Sequence, residues 1–198
     1  MATRFYKVVV GIARPIIRFL YRMKVTGTEN FDYEGKMIIS SNHISAMDPI
    51  LIACATKKEL NFMAKKELFK FKPLAFFLKK LGAFPVDRGA GDMAAISTAG
   101  KILREGNSLV IFPEGTRNRE SEELMKFQDG TALLAVRFKS DILPVAIQNR
   151  PRLFRRTKIA IGSPIKVMEI IDSEANTRKN LSTVSEKLYL VESTLKDQ

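Results

Sequence analysis

The chain contains one histidine, His43, which precedes an aspartate, Asp48, by five residues. Pro49 follows that aspartate, so the pattern predicts a helix that Asp48 caps and Pro49 begins. In the loop before this helix the imidazole can fold back onto the carboxylate. A carboxylate that accepts a hydrogen bond from one ring nitrogen fixes the tautomer and leaves the other nitrogen as a general base. The alternative is a capping aspartate beside an unrelated loop histidine, which this spacing alone does not exclude.

The sequence provides no protein nucleophile for such a base. It contains no G-x-S-x-G segment, and its single cysteine, Cys54, falls inside the predicted helix. A catalytic histidine would therefore activate the hydroxyl of a substrate. One cysteine and one histidine also predict no internal disulfide, no cysteine-based zinc site and no histidine-rich metal cluster.

A second segment with possible chemistry is PEGTRN at 113–118, which follows the strand-like SLVIF. Gly115 permits close backbone approach, Thr116 supplies a hydroxyl, and Arg117 supplies a guanidinium that suits phosphate. Glu114 is predicted either to orient an arginine or to accept a hydrogen bond from a substrate hydroxyl. The segment indicates anion binding, although a simple turn has the same composition.

Strand-like and helix-like runs alternate from residue 25 onward. The predicted strands are 36–41, 60–64, 83–86, 108–112, 142–148 and 158–161, and the predicted helices are 49–56, 91–105, 130–139 and 174–195. This alternation predicts one α/β domain over residues 25–198, with a mixed, mostly parallel sheet flanked by helices. Ligands bind at the carboxyl ends of such strands, where His43, the 113–118 segment and Arg88 fall.

The net charge of the chain limits the classes of binding partner but does not identify one of them. The chain has 33 Lys and Arg against 21 Asp and Glu, a formal net charge of +12. Such a field attracts nucleic acid, an anionic membrane, or acidic substrates and carriers.

The segment 65–81 interleaves four phenylalanines with six lysines. Its runs on either side of Pro73 indicate short amphipathic helices, and therefore membrane or acyl-chain contact, more than a nucleic-acid stacking platform.

Residues 1–24 are predicted to form an amphipathic membrane-anchoring segment. At about 100° per residue, five cations between Arg4 and Arg22 share a sector roughly 80° wide, and apolar residues fill most of the remainder. Pro15 is expected to divide the segment into two short helices. The alternative is a helix that packs on the core with a charged, solvated edge. No apolar run reaches the roughly 18–20 residues that a membrane span needs.

Taken together and in this order, these segments resemble the glycerolipid acyltransferase family, specifically the bacterial 1-acyl-glycerol-3-phosphate acyltransferases. The likeness covers about residues 36–150 and rests on NHISAMD (42–48), KKELF (65–69), GAFPVDR (82–88), FPEGTR (112–117) and LPVAI (143–147). The fold that the resemblance implies is the α/β sheet predicted above.

The resemblance also implies a reaction. His43 would take the proton from the sn-2 hydroxyl of lysophosphatidic acid, Asp48 would orient the imidazole, and Lys65 would stabilise the oxyanion. The hydroxyl would attack acyl-ACP or acyl-CoA directly, with no acyl-enzyme, to give phosphatidic acid. The substrate-binding residues that it implies are Asn42, Arg88, Glu114, Gly115, Thr116 and Arg117, with the two arginines as phosphate clamps.

The expected partners follow from this reading: a lysophospholipid, acyl carrier protein or a coenzyme A thioester, and an anionic membrane, with no nucleic acid, metal or bound cofactor. The expected location is peripheral or monotopic on the cytoplasmic face of the cell membrane. Two alternatives stay open. The same chemistry can act on glycerol 3-phosphate or another lysophospholipid, or the chain can be a basic module that binds membrane or nucleic acid without catalysis.

Overall fold

The computed structural model describes residues 4–87, 92–121, 123–172 and 174–198. Its strands are β1 (Lys24–Thr26), β2 (Met37–Ser41), β3 (Leu60–Lys65), β4 (Ala83–Val86), β5 (Ser108–Ile111), β6 (Ile142–Ile147) and β7 (Lys158–Ile161). Within the described ranges they form one sheet in the order β1-β7-β6-β2-β5-β3-β4. Strands β2 to β6 are parallel, whereas β7 is antiparallel to β6 and β1 pairs with β7 in parallel. The predicted mixed, mostly parallel sheet is confirmed.

Helices cover both faces of the sheet. They are α1 (Arg4–Leu20), α2 (Asp48–Ala55), α3 (Lys72–Lys80), α4 (Met93–Arg104), α5 (Gly130–Phe138), α6 (Val167–Ile170) and α7 (Thr177–Lys196), with 3₁₀ turns at Thr28–Phe31 and Lys66–Phe69. The predicted strands agree with the observed bounds within one residue and the predicted helices within three. Strand β1 was not predicted because three residues are too few to show a periodicity.

Helix α1 runs through Pro15 without a break, so the prediction of two short helices is wrong. Packing on both sides of the proline explains why the helix continues. Before Pro15, Tyr6 and Val10 pack against α2 at Ala53. After it, Ile17 packs on the core of the domain, together with Leu20 and Met23. These contacts outweigh the hydrogen bond that proline removes.

Alternation along β2 separates the core into two layers. Ile39 joins the apolar cluster beneath α2, whereas its neighbour Ile38 joins the cluster beneath α4, α5 and α7. Because both faces are covered, every residue of β2 is buried, as expected for a parallel strand at the centre of a sheet. The polar pair that ends the strand, Ser40 and Ser41, is buried as well. Strand β2 therefore delivers the chain from the centre of the core directly to the carboxyl edge of the sheet.

Candidate active site

The loop between β2 and α2 holds His43 against Asp48. His43 Nδ1 lies 2.8 Å from Asp48 Oδ2, and the same oxygen accepts the backbone N–H groups of Ile44 and Ser45, each at 2.7 Å. The Asp48 side chain is fully buried, and 13% of the His43 side chain is exposed. Because Asp48 occupies Nδ1, Nε2 is the ring nitrogen that can exchange a proton with a molecule in the cleft.

Asp48 reaches this position in a different way from the one predicted. It is the first residue of α2, Met47 occupies the capping position, and no side chain caps the helix. The prediction of a capping aspartate is therefore wrong, although the predicted contact with His43 is present. The physical reason is competition for one carboxylate: three donors in the preceding loop converge on Oδ2 and turn it away from the first turn of the helix.

The segment after β5 fixes His43 from the other side. The imidazole stacks on the Phe112 ring, with 4.2 Å between ring centroids and 24° between planes. Asn118 N–H donates to the His43 carbonyl at 2.7 Å, and His43 N–H donates to Glu114 Oε1 at 2.9 Å. Strands β2 and β5 pair in register, with Ser40 opposite Ile111. The two strand ends therefore arrive side by side, and their loops bind each other.

Glu114 serves this contact. Its side chain is buried, and burial raises the pKa of the Glu114 carboxyl, while the hydrogen bond from His43 N–H acts in the opposite direction. The sequence suggested that Glu114 orients an arginine or meets a substrate hydroxyl. The contact observed is with the backbone of His43, so Glu114 positions the loop that carries the imidazole, and its substrate-binding role stays a prediction.

A cleft of about 990 Å³ opens in front of the imidazole. Its wall combines polar and apolar side chains. Among the predicted site residues it is lined by His43, Lys65, Gly115, Thr116 and Arg117, and its apolar lining includes Met63, Leu68, Phe112 and Met125. Gly115 has a φ of 70°, a conformation that favours glycine. The cleft thus leaves the imidazole accessible to a molecule that has both charged and apolar parts.

Lys65 also lines this cleft, at the end of β3. Its amine lies 3.3 Å from Glu67 Oε1, and about half of its side chain is exposed, 54%. A surface ion pair of this kind is weak. The amine can therefore exchange Glu67 for a negative charge that develops in the cleft.

Asn42 does not reach the cleft. Its side chain is fully buried, and its amide pairs twice with the backbone of Ile147 at the end of β6, donating at 3.0 Å and accepting at 2.8 Å. Asn42 was predicted to bind substrate, and this geometry argues against that role. Both of its hydrogen-bonding groups are occupied, so it ties the loop that carries His43 to the neighbouring strand.

Arg88, the other predicted phosphate clamp, lies outside the described residues. Asp87, which precedes it, is exposed, and its backbone N–H donates to Asp92 Oδ2 at 2.8 Å. The predicted site is therefore described for His43, Asp48, Lys65 and the 113–118 segment, and Arg88 stays a prediction.

Three residues that the sequence analysis did not assign complete the site. Phe112 supports the imidazole, Asn118 binds the His43 carbonyl, and the Arg150 guanidinium donates to the carbonyls of Arg119 at 3.1 Å and Ser121 at 3.3 Å. Phe112 and Asn118 flank the EGTR segment, and the pairing of β2 with β5 was the signal that could have found them. The carbonyl partners of Arg150 lie about 30 residues away in the sequence, and no local pattern predicts such contacts.

Comparison with known proteins gives the class to which this fold and site belong. A family model described as Acyltransferase matches residues 22–148, which is more than half of the chain. The chain therefore belongs to the acyltransferase family, and the expected family resemblance is confirmed. Among the described helices, none has the length and apolar character required to cross a membrane.

Two relatives and one solved structure refine this comparison. The chain is 31% identical over 189 residues to the 1-acyl-sn-glycerol-3-phosphate acyltransferase of Bacillus subtilis, with 92% of each protein covered. It is 36% identical over 132 residues to the enzyme of the same name from Borreliella burgdorferi, and this match covers 66% of the chain and 52% of that enzyme. The crystal structure of the 1-acyl-sn-glycerophosphate (LPA) acyltransferase PlsC from Thermotoga maritima aligns with a TM-score of 0.76 at 22% identity, over 97% of this chain and 77% of that one. That structure therefore has the same fold as this chain.

Proposed function

We propose that this acyltransferase moves a fatty acyl group from an acyl thioester to the sn-2 hydroxyl of lysophosphatidic acid, which gives phosphatidic acid. The observation that carries the proposal is the His43–Asp48 contact of 2.8 Å at the wall of a large cleft. The names of the relatives from Bacillus subtilis and Borreliella burgdorferi support the choice of acceptor.

The chemistry follows from the two ring nitrogens. His43 Nε2 takes the proton of the acceptor hydroxyl, while Asp48 stabilises the imidazolium that forms. The hydroxyl oxygen bonds to the thioester carbonyl carbon, the carbon–sulfur bond then breaks, and the imidazolium returns its proton to the departing thiolate. Lys65, which lines the same cleft, is proposed to stabilise the oxyanion of the tetrahedral intermediate. Cys54, the only thiol, is buried in α2, which favours direct attack over an acyl-enzyme.

The phosphate of the acceptor is proposed to bind at the segment after β5. Arg117 lies on the cleft wall beside Gly115 and Thr116, and a guanidinium with a nearby hydroxyl suits a phosphate group. Arg88 is proposed as a second clamp on the strength of the family resemblance. The net charge of +12 favours binding of both the acceptor and an acidic or phosphate-bearing acyl donor, whether acyl carrier protein or coenzyme A.

The acceptor is a lipid, so the enzyme is proposed to meet it at an anionic membrane on the cytoplasmic face. Helix α1 supports this proposal because it combines three faces. One face packs on the domain. A second, basic face also contacts the domain: Arg14 Nη2 donates to Thr56 O at 2.6 Å, and Lys7 Nζ lies 3.1 Å from Glu59 Oε1. The third face is an exposed apolar stripe that consists of Phe5, Val8, Ile12, Ile16 and Phe19.

Helix α3 extends this stripe. Phe5 and Phe77 meet edge to face, with 5.8 Å between ring centroids, and Phe71 and Phe76 are exposed beside the lysines of the same segment. An apolar surface bordered by cations is suited to the boundary between acyl chains and lipid phosphates. The packing helix and the interfacial helix, predicted as alternatives, are thus both compatible with α1.

The test is product formation. Purified protein is incubated with vesicles that contain lysophosphatidic acid and with radiolabelled acyl-acyl carrier protein or acyl-coenzyme A, and phosphatidic acid is measured. Wild type is expected to form product, and His43→Ala to lose about a thousandfold or more of the rate. Asp197→Asn, an exposed substitution at the end of α7, is the control and should match wild type.

Other outcomes separate the alternatives. Product from glycerol 3-phosphate or another lysophospholipid, but not from lysophosphatidic acid, would contradict the acceptor and leave the chemistry intact. Vesicle binding without product from any acceptor would contradict an enzymatic role.

A further inference from the structure

The loop between β6 and β7 has a surface that the proposed reaction does not use. Its tip, residues 150–156, reads RPRLFRR. We propose that this tip contacts an anionic bilayer beside α1 and thereby sets the orientation of the cleft toward the lipid surface. The inference rests on the membrane docking proposed above, and it assigns that docking a second point of contact.

The tip exposes two large apolar side chains. Leu153 is 56% exposed and Phe154 is 64% exposed. Phe154 also has a φ of 60°, in the left-handed region that bulky residues rarely adopt. Such strain is retained where surrounding structure imposes it, and it occurs most often at functional positions. Neither the packing of the core nor the active site accounts for an aromatic residue held in this way at the surface.

Cations surround the apolar pair. Arg152, Arg155 and Arg156 are exposed, and the sequence has no acidic residue between Asp141 and Glu169. The tip therefore presents a positive field that no carboxylate of its own loop neutralises. Cations that border two apolar side chains match the arrangement of phosphates above acyl chains at a bilayer surface.

The tip is joined to the end of α1. Phe154 N–H donates to the Leu20 carbonyl at 2.6 Å, and Thr157 N–H donates to the Tyr21 carbonyl at 3.0 Å. Phe19, the last member of the apolar stripe, is 76% exposed. The tip therefore continues the stripe of α1 at the end opposite to α3.

The other side of the loop is joined to the cleft. Arg150 donates to the carbonyls of Arg119 and Ser121, and Arg119 lines the cleft beside Arg117. One loop thus connects the proposed docking surface with the proposed phosphate site. Contact of the tip with lipid fixes the mouth of the cleft relative to the bilayer from which the acceptor comes.

A bilayer accounts for these observations better than an acidic protein or a nucleic acid does. Either of those partners would use the arginines, but neither gives a role to an apolar tip that continues an apolar stripe of five residues on α1. Association with an acyl carrier protein is therefore an outcome that the experiment separates.

Fluorescence tests insertion of the tip directly, because the chain has no tryptophan. Phe154→Trp is expected to shift its emission to shorter wavelength on vesicles of phosphatidylcholine and phosphatidylglycerol, and to be quenched by brominated lipid. Leu190→Trp, at an exposed apolar position on α7, is the matched control and should do neither. Leu153→Trp repeats the test without a substitution in the left-handed region. If both tip reporters behave like the control, the proposal is wrong.

Removal of the arginine charges tests the electrostatic contribution of the tip to vesicle binding. Arg152→Gln/Arg155→Gln/Arg156→Gln is expected to lower partition onto anionic vesicles about 100-fold, since each cation at such a surface contributes about 1 kcal/mol. Arg178→Gln/Lys179→Gln/Lys187→Gln removes the same charge from exposed positions on α7 and should lower it much less. Both triple variants should retain wild-type activity on a short-chain acceptor that is monomeric in solution.

The outcomes distinguish this inference from the proposed function. If wild type binds vesicles but makes no phosphatidic acid, the proposed function fails, and the vesicle arm still decides the role of the tip. If the two triple variants bind vesicles equally, the tip does not contact the bilayer. Equal vesicle binding with weaker binding of acyl carrier protein by the tip variant would overturn the proposal in favour of a carrier site.

Discussion

Two fully buried carboxylates lie on opposite faces of the sheet, and they differ in the hydrogen bonds that they accept. Asp48, on α2, accepts three hydrogen bonds at Oδ2 from groups of the loop that holds His43. Glu192, on α7, is equally buried, but neither of its oxygens accepts a hydrogen bond of good geometry from the described residues. Burial raises the pKa of Glu192 well above its ordinary value, and the neighbouring Ser40 hydroxyl offsets only part of that increase.

The comparison shows that donors, more than burial, decide what a carboxylate can do. Donors that converge on one oxygen stabilise the charged form, which can orient an imidazole and stabilise the imidazolium. A buried carboxyl group with few donors has a raised pKa, as Glu192 does, and the raised pKa favours its neutral form. Glu114 is intermediate, because it accepts one hydrogen bond from His43 N–H and its pKa is raised by burial.

The largest effect is expected when the charge at Asp48 is removed and its shape is kept. Asp48→Asn offers the imidazole an amide that cannot stabilise the imidazolium and that favours the wrong tautomer. We expect kcat/KM to fall about 10⁴-fold, measured as phosphatidic acid formed at limiting acceptor. A loss of less than tenfold would mean that Asp48 serves the loop and not the chemistry.

A smaller effect is expected at Glu114, where position matters more than charge. Glu114→Ala removes the acceptor of His43 N–H and should lower kcat about 100-fold, since small displacements of a catalytic group have effects of this size. Glu114→Gln keeps an oxygen there and should restore most of the rate. If Gln is as inactive as Ala and the KM for the acceptor rises, Glu114 contacts the substrate and the positioning role is wrong.

Asn42 extends the comparison to a buried polar side chain whose donor and acceptor groups both have hydrogen-bond partners. Asn42→Ala leaves the backbone N–H and carbonyl of Ile147 unpaired inside the core, and we expect the free energy of unfolding to fall by about 2 kcal/mol. Urea denaturation measures this change. The KM for the acceptor should stay near that of wild type in the protein that remains folded, whereas a selective rise in KM would restore the substrate-binding role predicted from the sequence.

The effect expected at Glu192 depends on pH, and at about pH 5 it is the smallest of the four. The pKa of Glu192 in the folded protein is raised above its value in the unfolded chain, so the folded state binds more protons above about pH 4.3. The free energy of unfolding should therefore fall with rising pH, by about 1.4 kcal/mol for each pH unit while the folded group stays protonated.

Glu192→Gln removes this dependence. The variant should be more stable than wild type at pH 8, and the difference should shrink toward pH 4.5. Urea denaturation at both pH values measures it. Glu186→Gln, at an exposed position of the same helix, is the control and should show no such trend. A variant that is equally destabilised at both pH values would mean that Glu192 has an unrecognised partner and is charged in the folded protein.

The sequence predicted those parts of the molecule that local patterns control. Six strands were predicted because apolar runs bounded by turns are local signals. The pairing of His43 with Asp48 was predicted because five residues separate them. The acceptor for His43 N–H lies 71 residues away and the partner of Asn42 lies 105 residues away. Such contacts depend on the order of strands in the sheet, which periodicity does not encode.

Two of the errors have the same origin. Asp48 has the sequence of a helix cap and Pro15 has the sequence of a helix break, yet the tertiary structure overrides both local preferences. Loop donors converge on the Asp48 carboxylate, and contacts on both sides of Pro15 hold α1 straight through it. Local rules fail at these positions because the surrounding structure offers each residue a stronger interaction.

The antiparallel direction of β7 has a consequence for how this enzyme can vary. Because β7 reverses on β6, the connection between them turns back at the same rim of the sheet that carries the imidazole. A parallel β7 would have required a crossover to the far rim. Hairpin loops change in length and composition without disturbing the strands that they join. Residues 151–156, which are proposed to contact lipid, can therefore change in length and composition while Arg150 keeps its contacts and β2 and β5 continue to hold His43 against Asp48.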